Sequence, residues 1–254
     1  MPPRFLPLLL SSALLAGCAG SSELARPRLD LGLIQDASSA EPGFRGPGVG
    51  IEKPAGGVRV SEEDIRLAME SAGPLEGPVR VAVVEITRAW EGANRPTSVS
   101  PEELAAFREA LGGSVESVQT VPQMFLPDAA DLPTLRYAAA RVGANALFVF
   151  NREANEGTYF NAWSNLNWLI LPIFCVPGKT AEVYAAAEGA LIDVATSRVR
   201  AVAAADVRLD TVITTAASSR RPLEELDREG RLKSVELLGL DLGRQVGSLR
   251  VGQK

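Results

Sequence analysis

No histidine occurs among the 254 residues of this chain. Its absence excludes Ser-His-Asp and Cys-His triads, and with them the usual His-ligated zinc and iron sites. Basic residues are also short: 26 Lys and Arg stand against 31 Asp and Glu, giving a net charge of -5 and a pI near 5.1. Neutralising phosphates needs a clustered basic surface, so nucleic acid is excluded as a partner. Phosphate-loop and dinucleotide fingerprints are missing too, because Gly46-Pro47-Gly48-Val49-Gly50 follows no strand pattern. Carboxylates, Lys and Tyr are the acid/base groups that remain. No cofactor or metal site is expected, and no catalytic residue stands out.

What is present begins with an address. Residues 1 to 17 carry one arginine, Arg4, then the apolar run Phe5 to Leu15, then small residues. A positive start, a short apolar core and a small-residue end make a secretory signal, too short for a permanent membrane span. The element Leu15-Ala16-Gly17-Cys18 resembles the lipobox of bacterial lipoproteins. The resemblance implies cleavage before Cys18 and acylation of that cysteine, with several chains anchoring where one binds marginally. It also implies outer-membrane sorting and a periplasm-facing domain, since Ala19 is not the aspartate that holds such proteins at the inner membrane. In an organism without an outer membrane the cell membrane takes its place. Loss of Arg4 leaves 25 basic against 31 acidic groups, a net of -6. Cys175, left without an intramolecular partner, reads as a small buried hydrophobe.

Residues 18 to 60 read as the lipidated N-terminus and a flexible tether, with Gly43, Gly46, Gly48, Gly50, Gly56 and Gly57 opposing regular structure. Val58-Arg59-Val60 is a rival edge strand. The folded domain is expected over 61 to 254. Ser61 and Asp64 frame a capped helix with Ile65, Ala68, Met69 and Ala72 on one face and Gly73 behind it. Val79 to Ile86 reads as a strand buried on both faces. Ser100-Pro101-Glu102-Glu103 starts a second helix, with Leu104, Ala105, Phe107 and Leu111 inward and Gly112-Gly113 ending it. Val115 to Val121 alternates as a strand, Asp131 to Val142 is a third helix stopped by Gly143, and Ala146 to Phe150 is another central strand. Ala181 to Val194 and Arg198 to Asp210 form an antiparallel hairpin, with helix as the competing reading for the alanines. Leu223, Leu226, Leu232, Val235, Leu238, Leu242, Val246 and Leu249 mark a long amphipathic closing helix over 222 to 249, with Gly230 and Gly239 as candidate bends. The fold class is α/β: a single mixed sheet with helices packed on it, a long antiparallel hairpin and a C-terminal amphipathic helix.

The segment Leu132 to Phe150, followed by Ala190 to Val199, is similar to a pattern of envelope lipoproteins of the CsgG, LpoB and TolB N-domain types. There a helix of the form L-x-x-x-A-x-x-x-G-A-D delivers a strand, and a later strand ends in D-x-x-T-G. Here Asn145 stands at the aspartate and Ser197 at the glycine. The resemblance implies assembly, secretion or partner activation in the envelope, without catalysis.

The most unusual stretch is Gly157 to Gly178, which holds two of the three tryptophans. Trp163, Leu166, Trp168, Leu169, Ile170 and Phe174 are the candidate contact residues. Three readings stand: a loop or strand over the domain's own core, an apolar patch for an envelope protein or a second copy, and a membrane-dipping or transport-associated element over 163 to 176. Pro172 and Pro177 oppose a spanning helix, and lack of alternation opposes a pore strand. Of the carboxylates, Asp206 and Asp210 share one strand side, Glu224, Glu225 and Asp227 complement a helix start, and Asp131, with Asp128 nearby, caps a helix. Arg220-Arg221 reads as a basic turn.

Overall fold

The structure, a computed structural model, describes residues 60–70, 78–88, 94–128, 131–164 and 172–251. Among the described residues, five α-helices and six strands follow in the order α1 (Glu62–Met69), β1 (Arg80–Arg88), β2 (Asn94–Thr97), α2 (Pro101–Leu111), β3 (Ser117–Thr120), α3 (Leu132–Arg141), β4 (Ala146–Phe160), α4 (Pro172–Cys175), β5 (Lys179–Asp193), β6 (Val199–Ile213) and α5 (Arg220–Val251). The strands make one mixed sheet in the order β2-β1-β4-β5-β6, with β3 beside the first half of β1. β1 is parallel to β3 and β4, whereas β4, β5 and β6 run antiparallel. The α/β class and the β5–β6 hairpin expected from sequence are therefore present.

Local chemistry starts the helices where the sequence indicates. Ser61 and Asp64 close a capping box on α1, Ser100 and Glu103 close one on α2, and the Asp131 carboxylate accepts from Thr134 N on α3. The inward stripe of α2 is Glu103, Phe107 and Leu111, four residues apart. Ala105, expected inside, lies off that stripe and is exposed. α1 and α3 cover one sheet face around Ala82, Val84, Leu135, Leu147, Val149 and Ile192. α2 and α5 cover the other around Val81, Val83, Phe107, Phe148, Phe150, Leu238 and Leu242.

β4 departs most from expectation. Its apolar part ends at Phe150, but the strand continues to Phe160, paired with β5 from Ala146↔Asp193 to Phe160↔Lys179. Residues 151 to 160 lack the apolar signature because α1 and α3 stop covering them, and pairing with β5, with Ala154 packed against the Leu226 cluster, holds them extended. β1 leaves β4 after Ile86↔Asn151, and beyond that point β4, β5 and β6 project as a three-stranded band. Alanine is a poor strand former, yet Ala181, Ala185, Ala187, Ala203 and Ala205 are buried in β5 and β6. Their small side chains let α5 approach closely: a Cβ on Gly230 would sit 3.4 Å from Ala185 Cβ. Gly239, read as a bend, is another close contact, since a Cβ there would lie 2.9 Å from Ala110 Cβ and 3.1 Å from the Phe107 carbonyl oxygen. α5 continues through both as one 32-residue helix.

The departures from the lipoprotein pattern have local explanations. The Asn145 side chain accepts from Arg80 N at 2.8 Å and donates to the Pro78 carbonyl at 3.0 Å, a double role that a carboxylate cannot fill. Ser197 occupies the left-handed region at φ 60, where glycine is unstrained. Asp193 organises that turn by accepting from Ala195 N and Thr196 N and pairing with Arg200 at 2.7 Å. Two substitutions should move stability in opposite directions in urea unfolding. Ser197→Gly should raise it by about 0.5–1 kcal/mol, as relief of strain exceeds glycine's entropy cost. Gly189→Ala should lower it by about 1–3 kcal/mol, because its Cβ would lie 2.5 Å from Phe148 Cζ and 2.7 Å from Phe150 Cβ.

Candidate functional site

The β4–β5 connection sits at the free end of the projecting band. It is closed at its neck by Asn161 N donating to the Gly178 carbonyl at 3.1 Å, and by the Asn161 amide donating to the Pro177 carbonyl at 2.7 Å. Three aromatic side chains stand out there: Phe160 is 63% exposed, Trp163 61% and Phe174 66%. Lys179 Nζ lies 5.8 Å from the Phe160 ring centroid, a cation–π distance. The segment is thus a hairpin tip, and its described aromatics do not pack over the domain's own core. Of the contact residues expected from sequence, Trp163 and Phe174 are exposed on the tip, while Leu166, Trp168, Leu169 and Ile170 lie outside the described residues, as does Cys18. Phe160 was missed by sequence reading; its signal was the even-numbered series Ala154, Glu156, Thr158, Phe160, visible only once β4 is known to continue.

Cys175, read as core, is exposed at the tip. The apolar neighbours that suggested burial belong to the tip itself, where hydrophobicity of sequence does not imply a covering layer.

A second polar cluster lies where β1 and β4 part. Arg152 of β4, 5% exposed, donates to Glu103 of α2 at 2.6 Å and to both oxygens of Glu85 of β1 at 3.0 and 3.2 Å. Burial raises the Glu85 carboxyl above its ordinary range; Arg152 opposes this, and the nearby Glu103 charge adds to it. Burial also acts upward on Glu103, but Arg152 and the Ser100 hydroxyl and N–H outweigh it and hold that carboxyl low. An open recess of about 260 Å³ adjoins the cluster, lined by Glu85, Thr87, Asn151, Arg152, Glu153, Ala154 and Arg231. Its two guanidinium groups are committed, Arg152 to the carboxylates and Arg231 to Asp227 at 2.8 Å. The cluster ties α2, β1 and β4 together.

The remaining carboxylates do not converge. Asp206 and Asp210 are exposed on β6, and Asp206 accepts from the Tyr184 hydroxyl at 3.3 Å. Glu224 and Glu225 pair with Arg220 and Arg221 one helical turn away, so the basic pair opens α5 and is not a turn. Among the described residues, no group of three His, Cys, Asp or Glu side chains could hold a metal ion, and no helix is long and apolar enough to cross a membrane.

No protein-family model matches the chain, and no curated protein matches it. Solved structures similar to it include a minor lipoprotein from Acinetobacter baumannii, at 6% identity over 67% of this chain and 92% of that one, TM-score 0.34. Another is lipoprotein GNA1162 from Neisseria meningitidis, at 14% identity over 60% and 94%, TM-score 0.34. A third is the rare lipoprotein B from Shewanella oneidensis, at 12% identity over 68% and 96%, TM-score 0.31. Likeness at this level assigns no activity or partner.

Two measurements check the geometry. Arg152→Leu should cost about 3–5 kcal/mol at pH 7, since two buried carboxylates lose their counter-charge. With folded pKa values then above the unfolded ones, Glu85 and Glu103 bind protons preferentially in the folded state, so the deficit should shrink between pH 7 and pH 5 in urea titrations. The Cys175 thiol should react with a thiol reagent in the native protein about as fast as after unfolding; protection of tenfold or more would contradict its exposure.

Proposed function

We propose that this chain is a lipid-anchored cell-envelope protein that acts by binding, not catalysis, and that its contact surface is the β4–β5 tip. The observation that carries the reading is the trio Phe160, Trp163 and Phe174, exposed together on one connection. Single exposed hydrophobics are ordinary on a protein surface, but three exposed aromatics at one hairpin end are a concentration of the kind that marks interaction sites. Aromatic side chains supply large contact area with few rotatable bonds, which suits them as interface anchors. The anchor part of the reading rests on Leu15-Ala16-Gly17-Cys18 and the apolar run before it. Ala19 supports outer-membrane sorting in an organism that has an outer membrane. The partner is an envelope protein or a second copy of the chain.

A second reading, insertion of the tip into a bilayer, is favoured by the same aromatics beside Lys179, a combination suited to the headgroup region. Tryptophan emission separates the two. Mature delipidated protein mixed with liposomes should show no blue shift on the binding reading, whereas a shift lost in Trp163→Ser would favour insertion.

Cys18→Ala should release the protein from membranes into the soluble envelope fraction, and globomycin should block processing of the unaltered chain. Unchanged processing and retention would remove the anchor.

A further inference from the structure

β6 ends the strand order, and no strand lies beyond it among the described residues. Its even-numbered residues turn their backbone groups outward, since Val202 and Ala204 bond to Gln245 and Asp241 of α5 and not to β5. α5 closes the inner half of the edge in this way. Towards its own start the helix lies over β5 and β4, where Leu226 packs with Ala181, Val183 and Ala154. It leaves the outer half of the edge, whose outward residues Asp206, Arg208, Asp210 and Val212 are all exposed. A bare sheet edge is a template for another strand.

Charge on this half is unbalanced. Asp210 stands directly opposite Glu182 of β5, which is 1% exposed. Like charges opposed across a strand pair destabilise it. Arg208 forms an ion pair with Glu182, whereas Asp210 has none among the described residues. Nearby cations are engaged elsewhere: Arg220 with Glu224 at 2.9 Å, Arg221 with Glu225 at 3.1 Å, and Lys179 at the Phe160 ring.

We propose that the outer half of β6 pairs with the same stretch of a second copy of this chain, antiparallel about a twofold axis at Leu209. In this register Arg208 stands opposite Asp210 of the second copy, and Asp206 opposite Val212 of the second copy, each pairing being made twice by symmetry. Neighbouring registers fail. An axis at Arg208 sets that cation against itself and Asp206 against Asp210, and an axis at Asp210 sets that carboxylate against itself. An axis at Val207 needs the outward groups of Val202 and Ala204, which α5 already holds. The lengths also match: opposite Ala204, where α5 takes over the edge, the strand of the second copy has ended at Ile213. On the α5 face the two Leu209 side chains meet at the axis, each backed by its own Leu226 cluster.

The pairing uses neither the β4–β5 tip nor the lipid anchor, so its test is separate from theirs. In the full chain freed of other thiols by Cys18→Ala and Cys175→Ser, Leu209→Cys should form a covalent dimer on mild oxidation, because residues opposed at a non-hydrogen-bonded position lie within disulfide reach. Val207→Cys and Thr211→Cys should each stay monomeric alone and form the dimer when mixed, since those positions face each other across the axis. Asp210→Lys added to Leu209→Cys should cut the covalent dimer about tenfold or more. Its urea midpoint should be unchanged or higher, because the charge opposite Glu182 is reversed. Val212→Pro, which removes an outward N–H and no bond to β5, should also abolish the dimer. Self-linkage at Val207→Cys or Thr211→Cys, or a Leu209→Cys dimer that survives both Asp210→Lys and Val212→Pro, overturns the inference, as does a chain that sediments as a monomer without Leu209→Cys linkage. In cells, Val212→p-benzoylphenylalanine should give an adduct of twice the chain's mass; adducts with other proteins alone overturn self-pairing.

Discussion

Everything distinctive about this molecule depends on how closely α5 lies against β5 and β6. The contact is made by small groups on both sides, alanines on the strands and Gly230 on the helix, while Gly239 gives the same helix its close approach to Ala110 and Phe107 of α2. Close approach keeps Val235, Leu238, Leu242 and Val246 buried over Phe148 and Leu191. Near the free end, Leu226, with Leu223 beside it, packs on Ala181, Val183 and Ala154. This support lets three strands continue past the end of β1. Without it the extension would be a narrow ribbon with two solvated faces, which has little stability alone.

Charge completes what small residues begin. Where β1 ends, Arg152 bridges Glu85 and Glu103 and so joins the strand that stops, the strand that continues and the helix between them. A single cation shared by two buried carboxylates is a specific device, because its loss leaves both carboxylates buried without a counter-charge. Along the edge of β6, α5 supplies another: Gln245 accepts from Val202 N at 3.3 Å and donates to its carbonyl at 2.7 Å, and Asp241 accepts from Ala204 N at 3.3 Å. These side chains occupy backbone groups that would otherwise template further strand pairing.

Much of this was legible in the sequence because local chemistry and tertiary environment agree. Ser61, Ser100 and Asp131 cap the helices they suggest, and Val79 to Ile86 reads as the buried strand it largely is. The outer half of β4 was not legible. Asn151 to Tyr159 includes arginine, two glutamates and a glycine with no consistent alternation, and its extended state comes from pairing with β5, fifteen residue pairs that no local window contains. Cys175 failed for the converse reason: an apolar neighbourhood in sequence predicts burial only where the fold supplies a cover. The Arg152 cluster was invisible because its members lie 49 and 67 residues apart.

The tip's aromatics now have a different standing from the apolar residues of the domain. Phe107, Phe148 and Phe150 stack in the core, with centroids 5.1 and 6.0 Å apart, and their identity is dictated by packing. Phe160, Trp163 and Phe174 belong to none of the three core clusters. A polar residue at any of them would forfeit little folding energy, because stability follows the area removed from water. Folding therefore does not account for three aromatics there, which is the ground on which a contact surface is proposed. Since the tip stands apart from the core, side chains there can be exchanged without altering the platform that presents them, so losses of binding would report on the contact itself.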